Sequence, residues 1–497
     1  MCRPARLLLK IPIGEEMEVS EYAGLDALGL ADLIRRRQVS RSEAARAAFT
    51  AAALVNPQIN AVIETWSDEE VIARDDACFS GVPFLIKDIG IAMAGRRSEV
   101  GSRLASGYVS PVDSDLMKQF REAGFLTIGR TTTPEFAIST TTESVANGPT
   151  RNPWDPSRSA GGSSGGAGAA VAAGITPIAH GTDASGSIRI PASVNGLVGL
   201  KPTRGRVSNG PFVDEIWNGL GVQFGVTRTV RDSAALLDAI AGDVPGEPYY
   251  TAPPQDPYLS QVRRDPGSIS IGLQLQPHNG ARIASTVAEA ISTVARHCEA
   301  LGHRVTEITP EIGLSWEAFV HANTVFCATG TASWAAMIAS ASGRAMNGET
   351  MEEATLATCA FGRNLSAIDY LRALDARNAV TRSLAACFSD FDVLLTPTLP
   401  DLSPILGTYD SGAEQLDGLG WISTVFDRAP FTPIANMAGV PAISLPLSFD
   451  RDTGLPIGSQ FTAGFGREDL LFQLAGQLER ALPWDHRRPS IWAGKPD

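Results

Sequence analysis

Apolar residues recur at helical spacing in "LDALGLADLIRRRQ" (25–38), and Ser40 followed by Glu43 forms a capping-box signature. That pairing predicts a second helix running to about Ala53. "NAVIETW" (60–66) reads as a strand, and so does the apolar run "VPFLI" (82–86), which ends on Lys87. Helix signals return near 113–123 and a strand follows at 125–129. The glycine-rich stretch 161–166 leads into "AGAAVAAG", a small-residue helix stopped by Gly174. A strand is expected at 175–180, followed by the loop "TDASGSIRIP". Residues 245–268, rich in Pro, Asp and Tyr, read as a surface excursion. An amphipathic helix is expected over 283–300 and a mainly helical stretch over 315–388. Strands at 391–396 and 440–447 and a helix at 467–482 complete the pattern. The alternation predicts an α/β fold, a central mixed twisted sheet with helices on both faces. With no internal repeat and no long linker, we expect one domain over 20–490. Residues 245–390 would be a helical, variable cap over the substrate, and 1–19 an N-terminal extension.

Composition narrows the class. The 497 residues are 44% hydrophobic and 19% charged, as in ordinary globular proteins. A net charge of −13 argues against nucleic acid, whose phosphates call for a basic face. No uninterrupted apolar run approaches the ~18–20 residues of a membrane span, and the N-terminal apolar stretch is broken at Lys10, too short for a secretory signal. The cysteines, at 2, 78, 298, 327, 359 and 387, stand far apart. They suggest neither a zinc site nor a disulfide scaffold, so no metal or cofactor is expected and a reducing cytoplasm is the simplest compartment.

The segment "AGGSSGGAGAAVAAG" (160–174) admits four readings. A tether would have no reason to run straight into a core helix. A phosphate loop needs Gly-Lys-Ser/Thr, yet no lysine lies between Lys118 and Lys201. "GGSSG" formally matches a nucleophile elbow, but a polar turn precedes it where a strand belongs, and its histidine would have to be His486 in "PWDHRRP". The fourth reading couples this segment to Lys87 and to "HGTDASGSIRIPAS" (180–193). Lysine is scarce, found only at 10, 87, 118, 201 and 495. Burial behind "VPFLI" would lower the Lys87 pKa, toward ~7–8, making the amine a proton acceptor. Read alone, Lys87 fits equally a lysine that snorkels to solvent or pairs with Asp88. "TDASGSIR" places Ser187 behind Gly186 in a turn whose backbone N–H groups form an anion nest.

"GVPFLIKD", "GGSSGG" and "GTDASGSIRIPASVNGLVGLKPTRGRVS", with "RTTTPEFA" and "RNPWDPSRSAGGSSGG", closely resemble the amidase signature family in order and spacing over roughly 20–490. The C-terminal "GLPIGSQFTAGFGREDLLFQLAGQLERALPW" is most similar to bacterial members of the 6-aminohexanoate cyclic-dimer hydrolase type. The resemblance implies an amidase-signature fold and a serine hydrolase of non-peptide C–N bonds. Substrates would be anilides, linear or cyclic oligoamides, carbamates and esters. Carried over residue by residue, it makes Ser187 the nucleophile, Ser163 the bridging serine behind a cis Gly162–Ser163 bond, and Lys87 the base. The oxyanion would be held by the N–H groups of Ala184, Ser185, Gly186 and Ser187. Ser185 departs from the family's commoner glycine. Ser164 would hold the loop, and Asp183 and Arg189 would brace the turn, although a surface ion pair is their other reading. Cys327 would line the pocket, though a small buried hydrophobe is the reading the sequence favours. His180 reads as structural, and Trp217, Trp316 and Trp334 fit pocket or core equally. The partner implied is a small amide or carbamate, with no nucleic acid or membrane, and a homodimer is left open. The alternative function is the glutaminase subunit of a tRNA-dependent amidotransferase. Those subunits usually carry "DQIGP", where this chain has "GPFVDEIWNGLGVQFGV".

Overall fold

The computed structural model describes residues 17–67, 76–213, 215–242, 244–409 and 412–495. The expected N-terminal extension therefore lies almost wholly outside the described residues. The first helices form where capping predicts. Asp26 caps Ala27–Arg35, and Ser40 and Glu43 close a full capping box on Arg41–Ile59, which runs past the expected end at Ala53.

One sheet collects eleven strands: β1 (Val62–Thr65), β2 (Pro83–Lys87), β3 (Leu126–Thr131), β6 (Ile178–Asp183), β7 (Val198–Lys201), β8 (Val222–Thr227), β9 (Ser270–Leu273), β10 (Arg304–Glu307), β11 (Val393–Pro397), β12 (Ala442–Phe449) and β13 (Pro456–Ala463). The short β4 (Glu143–Ser144) and β5 (Gly148–Pro149) pair separately. The order across the sheet is β1-β3-β2-β6-β8-β7-β12-β13-β11-β9-β10. The strands β3, β2 and β6 run parallel, as do β11, β9 and β10, while the middle of the sheet is antiparallel. This is the mixed α/β architecture expected.

The stretch 245–390, expected to be a helical cap, divides in two. Its first part adds β9 and β10 to the edge of the sheet, with Ser285–Ala300 packed nearby. Only its second part is all helix: Trp316–Ser342, Glu353–Arg363 and Ala367–Asp390. Together with Gly418–Arg428 these build a second apolar cluster, separate from the one that lines the sheet. Polar residues interrupt every run in Trp316–Ser342. Even so, the helix is long and apolar enough by composition to cross a membrane, with a mean hydropathy of 1.2 over its best window. Of that window, 44% is buried inside the structure.

Two parallel strands set up the site. Leu85 of β2 pairs with Ala179 of β6, so the carboxyl ends of both strands, Lys87 and Asp183, emerge at the same edge of the sheet. In α/β sheets that edge is where ligands bind.

Candidate active site

Lys87 ends a strand whose residues are all buried, and it is itself 1% exposed. Its Nζ contacts three hydroxyls: Ser163 Oγ at 2.7 Å, Thr182 Oγ1 at 2.8 Å and Ser164 Oγ at 3.0 Å. It neither snorkels nor pairs with Asp88. That carboxylate instead binds Arg130 Nη1 at 2.5 Å and accepts the N–H groups of Glu99 and Gly101. Burial pushes the Lys87 amine well below the ordinary lysine value, and the Asp183 charge only partly opposes it. The helix Gly165–Ala172 starts beside these serines, and its positive end further disfavours an ammonium. Ser164 Oγ already donates to Thr182 O and accepts from Thr182 N–H, so toward Lys87 it acts as an acceptor. A neutral amine has one lone pair left, which Ser163 or Thr182 can address.

Lys201, another scarce lysine, is also buried, but its Nζ meets only Pro202 O. Burial alone therefore does not set Lys87 apart. Its surrounding hydroxyls do.

The Gly162–Ser163 peptide bond is cis, as the resemblance implies. A Cβ on Gly162 would lie 2.6 Å from Thr141 O, so this loop has room only for glycine. Ser164 N–H donates to Ser187 O at 3.1 Å and ties the two serine-bearing segments together. No hydrogen bond joins Ser187 Oγ to Ser163 Oγ. Such contacts are often made only once substrate is bound.

Asp183 and Arg189 are both fully buried. Arg189 Nε and Nη2 grip the two carboxylate oxygens at 2.9 Å each. The guanidinium also donates to Thr432 O, Gln460 Oε1 and Asn436 Oδ1 at 2.9, 2.7 and 2.6 Å. All five of its N–H groups are thereby engaged. Burial alone would raise the Asp183 carboxyl. The Arg189 charge and hydrogen bonds from Arg189 and Asn436 overcome that and hold it well below the usual range. The surface-pair reading of these two residues is thus replaced by a buried brace.

That brace corrects one expectation. Gly186 N–H donates to Asp183 Oδ1 at 2.7 Å, so it is already engaged by the carboxylate. Of the four N–H groups expected to line an oxyanion hole, those of Ala184, Ser185 and Ser187 have no partner among the described residues. Gly186 instead shapes the turn. Its φ is +126°, and a Cβ there would lie 2.4 Å from Thr432 Oγ1, the group that donates to Ser185 O at 2.5 Å.

His180 accepts Lys87 N–H on Nδ1 at 3.3 Å, so its Nε2–H donates to Gln223 Oε1 at 3.1 Å. Burial, helped by Lys87, pushes its pKa down to about 3. It is a neutral structural histidine, as read from the sequence. His486 lies exposed beside Asp485, which removes the elbow reading's base. Cys327, 8% exposed, does line the cleft next to Ala184 and Ser185, and burial pushes its thiol up to about 12. Trp217 lines the same cleft. Trp316 stacks on Phe319 in the core, and Trp334 meets Phe136 edge-on. Thr182, Thr432, Asn436 and Gln460 carry no sequence signal of their own. Among the described residues no group of three or more His, Cys, Asp or Glu side chains is placed to share a metal ion.

Comparison with known proteins shows which family the chain belongs to. The amidase family model matches residues 37–472, and the chain belongs to that family. It is 39% identical over 484 residues to the 6-aminohexanoate-cyclic-dimer hydrolase of Paenarthrobacter ureafaciens, covering 94% of this chain and 96% of that one. It is 36% identical over 480 residues to the putative amidase AmiC of Mycobacterium tuberculosis, covering 93% and 95%. The solved structure of a 6-aminohexanoate cyclic dimer hydrolase with substrate superposes with a TM-score of 0.89 at 35% identity, covering 94% and 99%. A bacterial aryl acylamidase of the amidase signature family superposes at 0.84 and 25% identity, covering 95% and 99%. Within its family the chain is an amidohydrolase of the amidase-signature class, acting on C–N bonds.

Proposed function

We propose that the protein hydrolyses non-peptide amides, linear or cyclic oligoamides and anilides among them, through an acyl-enzyme on Ser187. Carbamates and esters would follow the same route, because each offers a carbonyl with a displaceable group. Neutral Lys87 takes a proton from Ser163 Oγ, which takes one from Ser187 Oγ as that oxygen attacks the carbonyl. A serine hydroxyl needs such a base to be a useful nucleophile. The N–H groups of Ala184, Ser185 and Ser187 receive the oxyanion. The relay then runs backward to protonate the leaving amine, and water releases the acyl group.

The observation that carries this reading is Lys87 Nζ, buried and bonded only to hydroxyls, 2.7 Å from Ser163 Oγ. The chain is also similar to the A subunit of a glutamyl-tRNA(Gln) amidotransferase, at 28% identity and a TM-score of 0.74. The closer likeness to the cyclic-dimer hydrolases favours a free hydrolase. The free thiols of Cys78, Cys298, Cys327, Cys359 and Cys387 suit a reducing cytoplasm. The test is a panel of nitroanilide amides, carbamates and esters with wild type and Ser187→Ala, beside labelling by a fluorophosphonate. Hydrolysis and labelling should vanish together in the variant. Hydrolysis that survives Ser187→Ala overturns the reading.

A further inference from the structure

The cleft beside Ala184 and Ser185 is walled mainly by apolar side chains, among them Ile138, Leu220, Ile422 and Phe426. Among the polar side chains of that wall, Asn323 and Trp217 each bury an unpaired atom. Asn323 is 0% exposed, and its Oδ1 has no hydrogen-bond partner. Its amide cannot be turned the other way. Nδ2 donates to Phe319 O at 2.8 Å, and a carbonyl there can only accept. The acceptor Oδ1 is therefore the unpaired end. Trp217 Nε1, a donor, is likewise buried without a partner. Its indole is wedged against Trp316–Ser342, since a Cβ on Gly330 would come within 2.9 Å of Trp217 Cδ1. Asn323 lies one helical turn before Cys327, so both face the same cleft.

Buried polar groups are normally paired, and a lone acceptor and a lone donor lining one apolar cleft are an exception that calls for a ligand. We propose that Asn323 and Trp217 form a specificity subsite for a second amide of the substrate, apart from the bond being cut. Asn323 Oδ1 accepts that amide's N–H, and Trp217 Nε1–H donates to its carbonyl. The substrate class is then a diamide or oligoamide rather than a simple alkyl amide. An alkyl chain of equal length would bury both groups unpaired, which disfavours it by about 10- to 100-fold. This inference rests on the cleft being the substrate site of the proposed hydrolase.

Two matched substrate pairs test it. The first compares the p-nitroanilides of 6-acetamidohexanoic and nonanoic acids, which places the second amide on the acyl side. The second compares the hexanoyl amides of 4-(acetamidomethyl)aniline and 4-butylaniline, which places it on the amine side, with aniline release followed by chromatography. Wild type should prefer the acetamido member of at least one pair by about 10-fold or more in kcat/KM, chiefly through KM. Asn323→Leu should bring that ratio near one. Trp217→Phe, which loses only the N–H, should lower the ratio independently and serves if Asn323→Leu does not fold. A wild-type ratio near one in both pairs, or a ratio that survives in the folded variants, overturns the proposal. Ser187→Ala is run alongside. Activity in that variant defeats the reading of the nucleophile, whereas a flat ratio with Ser187→Ala inactive defeats only the subsite.

Discussion

Arg189→Met tests the claim that a buried ion pair holds the reactive turn. The substitution keeps an unbranched side chain but removes all five donors that reach Asp183, Thr432, Gln460 and Asn436. Asp183 is then a carboxylate with no exposure and no counter-ion in contact. Breaking such a pair from one side costs about 3–5 kcal/mol. Unfolding entropy of ~2.1 cal/mol/K per residue gives about 1 kcal/mol per degree for a chain of this length, so Tm should fall by about 3–5 °C. Asp183 also holds Gly186 N–H and Ile188 N–H, so the turn loosens where the oxyanion is to be bound. Misplacing one oxyanion donor costs ~2.7–4 kcal/mol of barrier, so labelling of Ser187 by a fluorophosphonate should slow by about 10²-fold or more.

Differential scanning fluorimetry across pH separates the causes. In wild type the Asp183 carboxyl lies below its unfolded value. Its stabilisation is therefore full above the ordinary carboxylate pKa and lost as pH falls through the depressed one. In Arg189→Met, burial acts unopposed and raises the carboxyl, so the variant regains stability as pH falls toward about 4, and the gap to wild type narrows further below that value as wild type loses its own stabilisation. Adding Asp183→Asn should restore part of the lost Tm, because it removes the stranded charge. A single variant that melts within a degree of wild type refutes the argument, and so does a double variant no more stable than the single one.

Lys87→Met should abolish hydrolysis while raising Tm at neutral pH. The folded pKa of Lys87 lies below the unfolded one, so folding must release a proton at any pH between the depressed value and about 10.4. The Tm gain should shrink as pH approaches that value, and melting curves between pH 6 and 10 check it. For the same reason kcat/KM in wild type should fall on the acid side as the amine takes up a proton. Full activity far below pH 5 would count against Lys87 as base. Gly186→Ala should slow fluorophosphonate labelling by at least 10²-fold, since it adds a methyl 2.4 Å from Thr432 Oγ1 at a φ of +126°. Labelling at the wild-type rate would show that the turn tolerates a side chain.

The burial of Lys87 and its nearness to the glycine loop were legible because each segment breaks a local rule. A lone lysine ends an apolar strand, and two serines sit among glycines before a core helix. The capping box at Ser40 was legible because its chemistry lies within four residues. What failed to read was polar structure buried by distant partners. The strand expected at 175–180 actually runs from Ile178 to Asp183. Its end looked like loop because Thr182 and Asp183 are satisfied by Lys87 and Arg189 rather than by neighbours in sequence. The helix Arg189–Asn195 was hidden in the expected loop by Pro191 and by an arginine that is wholly buried. β13 gave no strand signal, since Gln460 and Ser459 interrupt its apolar pattern, yet Gln460 is buried because it completes the shell of Arg189.

The turn that carries Ser187 lies on the seam between two cores. Ile188 belongs to the cluster that lines the sheet, with Phe84, Leu85 and Ala167, and Ala184 belongs to the helical one, with Ile138, Phe326 and Cys327. The first cluster holds Phe84, Leu85 and Ile86 of the strand that ends on Lys87. The second forms the cleft wall. Arg189 crosses the seam, bonding Asp183 and Gln460 on the strands, Asn436 in the helix Pro433–Ala438 and Thr432 just before it. Substitutions in the helical cluster therefore act first on the cleft wall. Substitutions around Arg189 cannot be confined in that way, since the same five hydrogen bonds hold the turn to both cores.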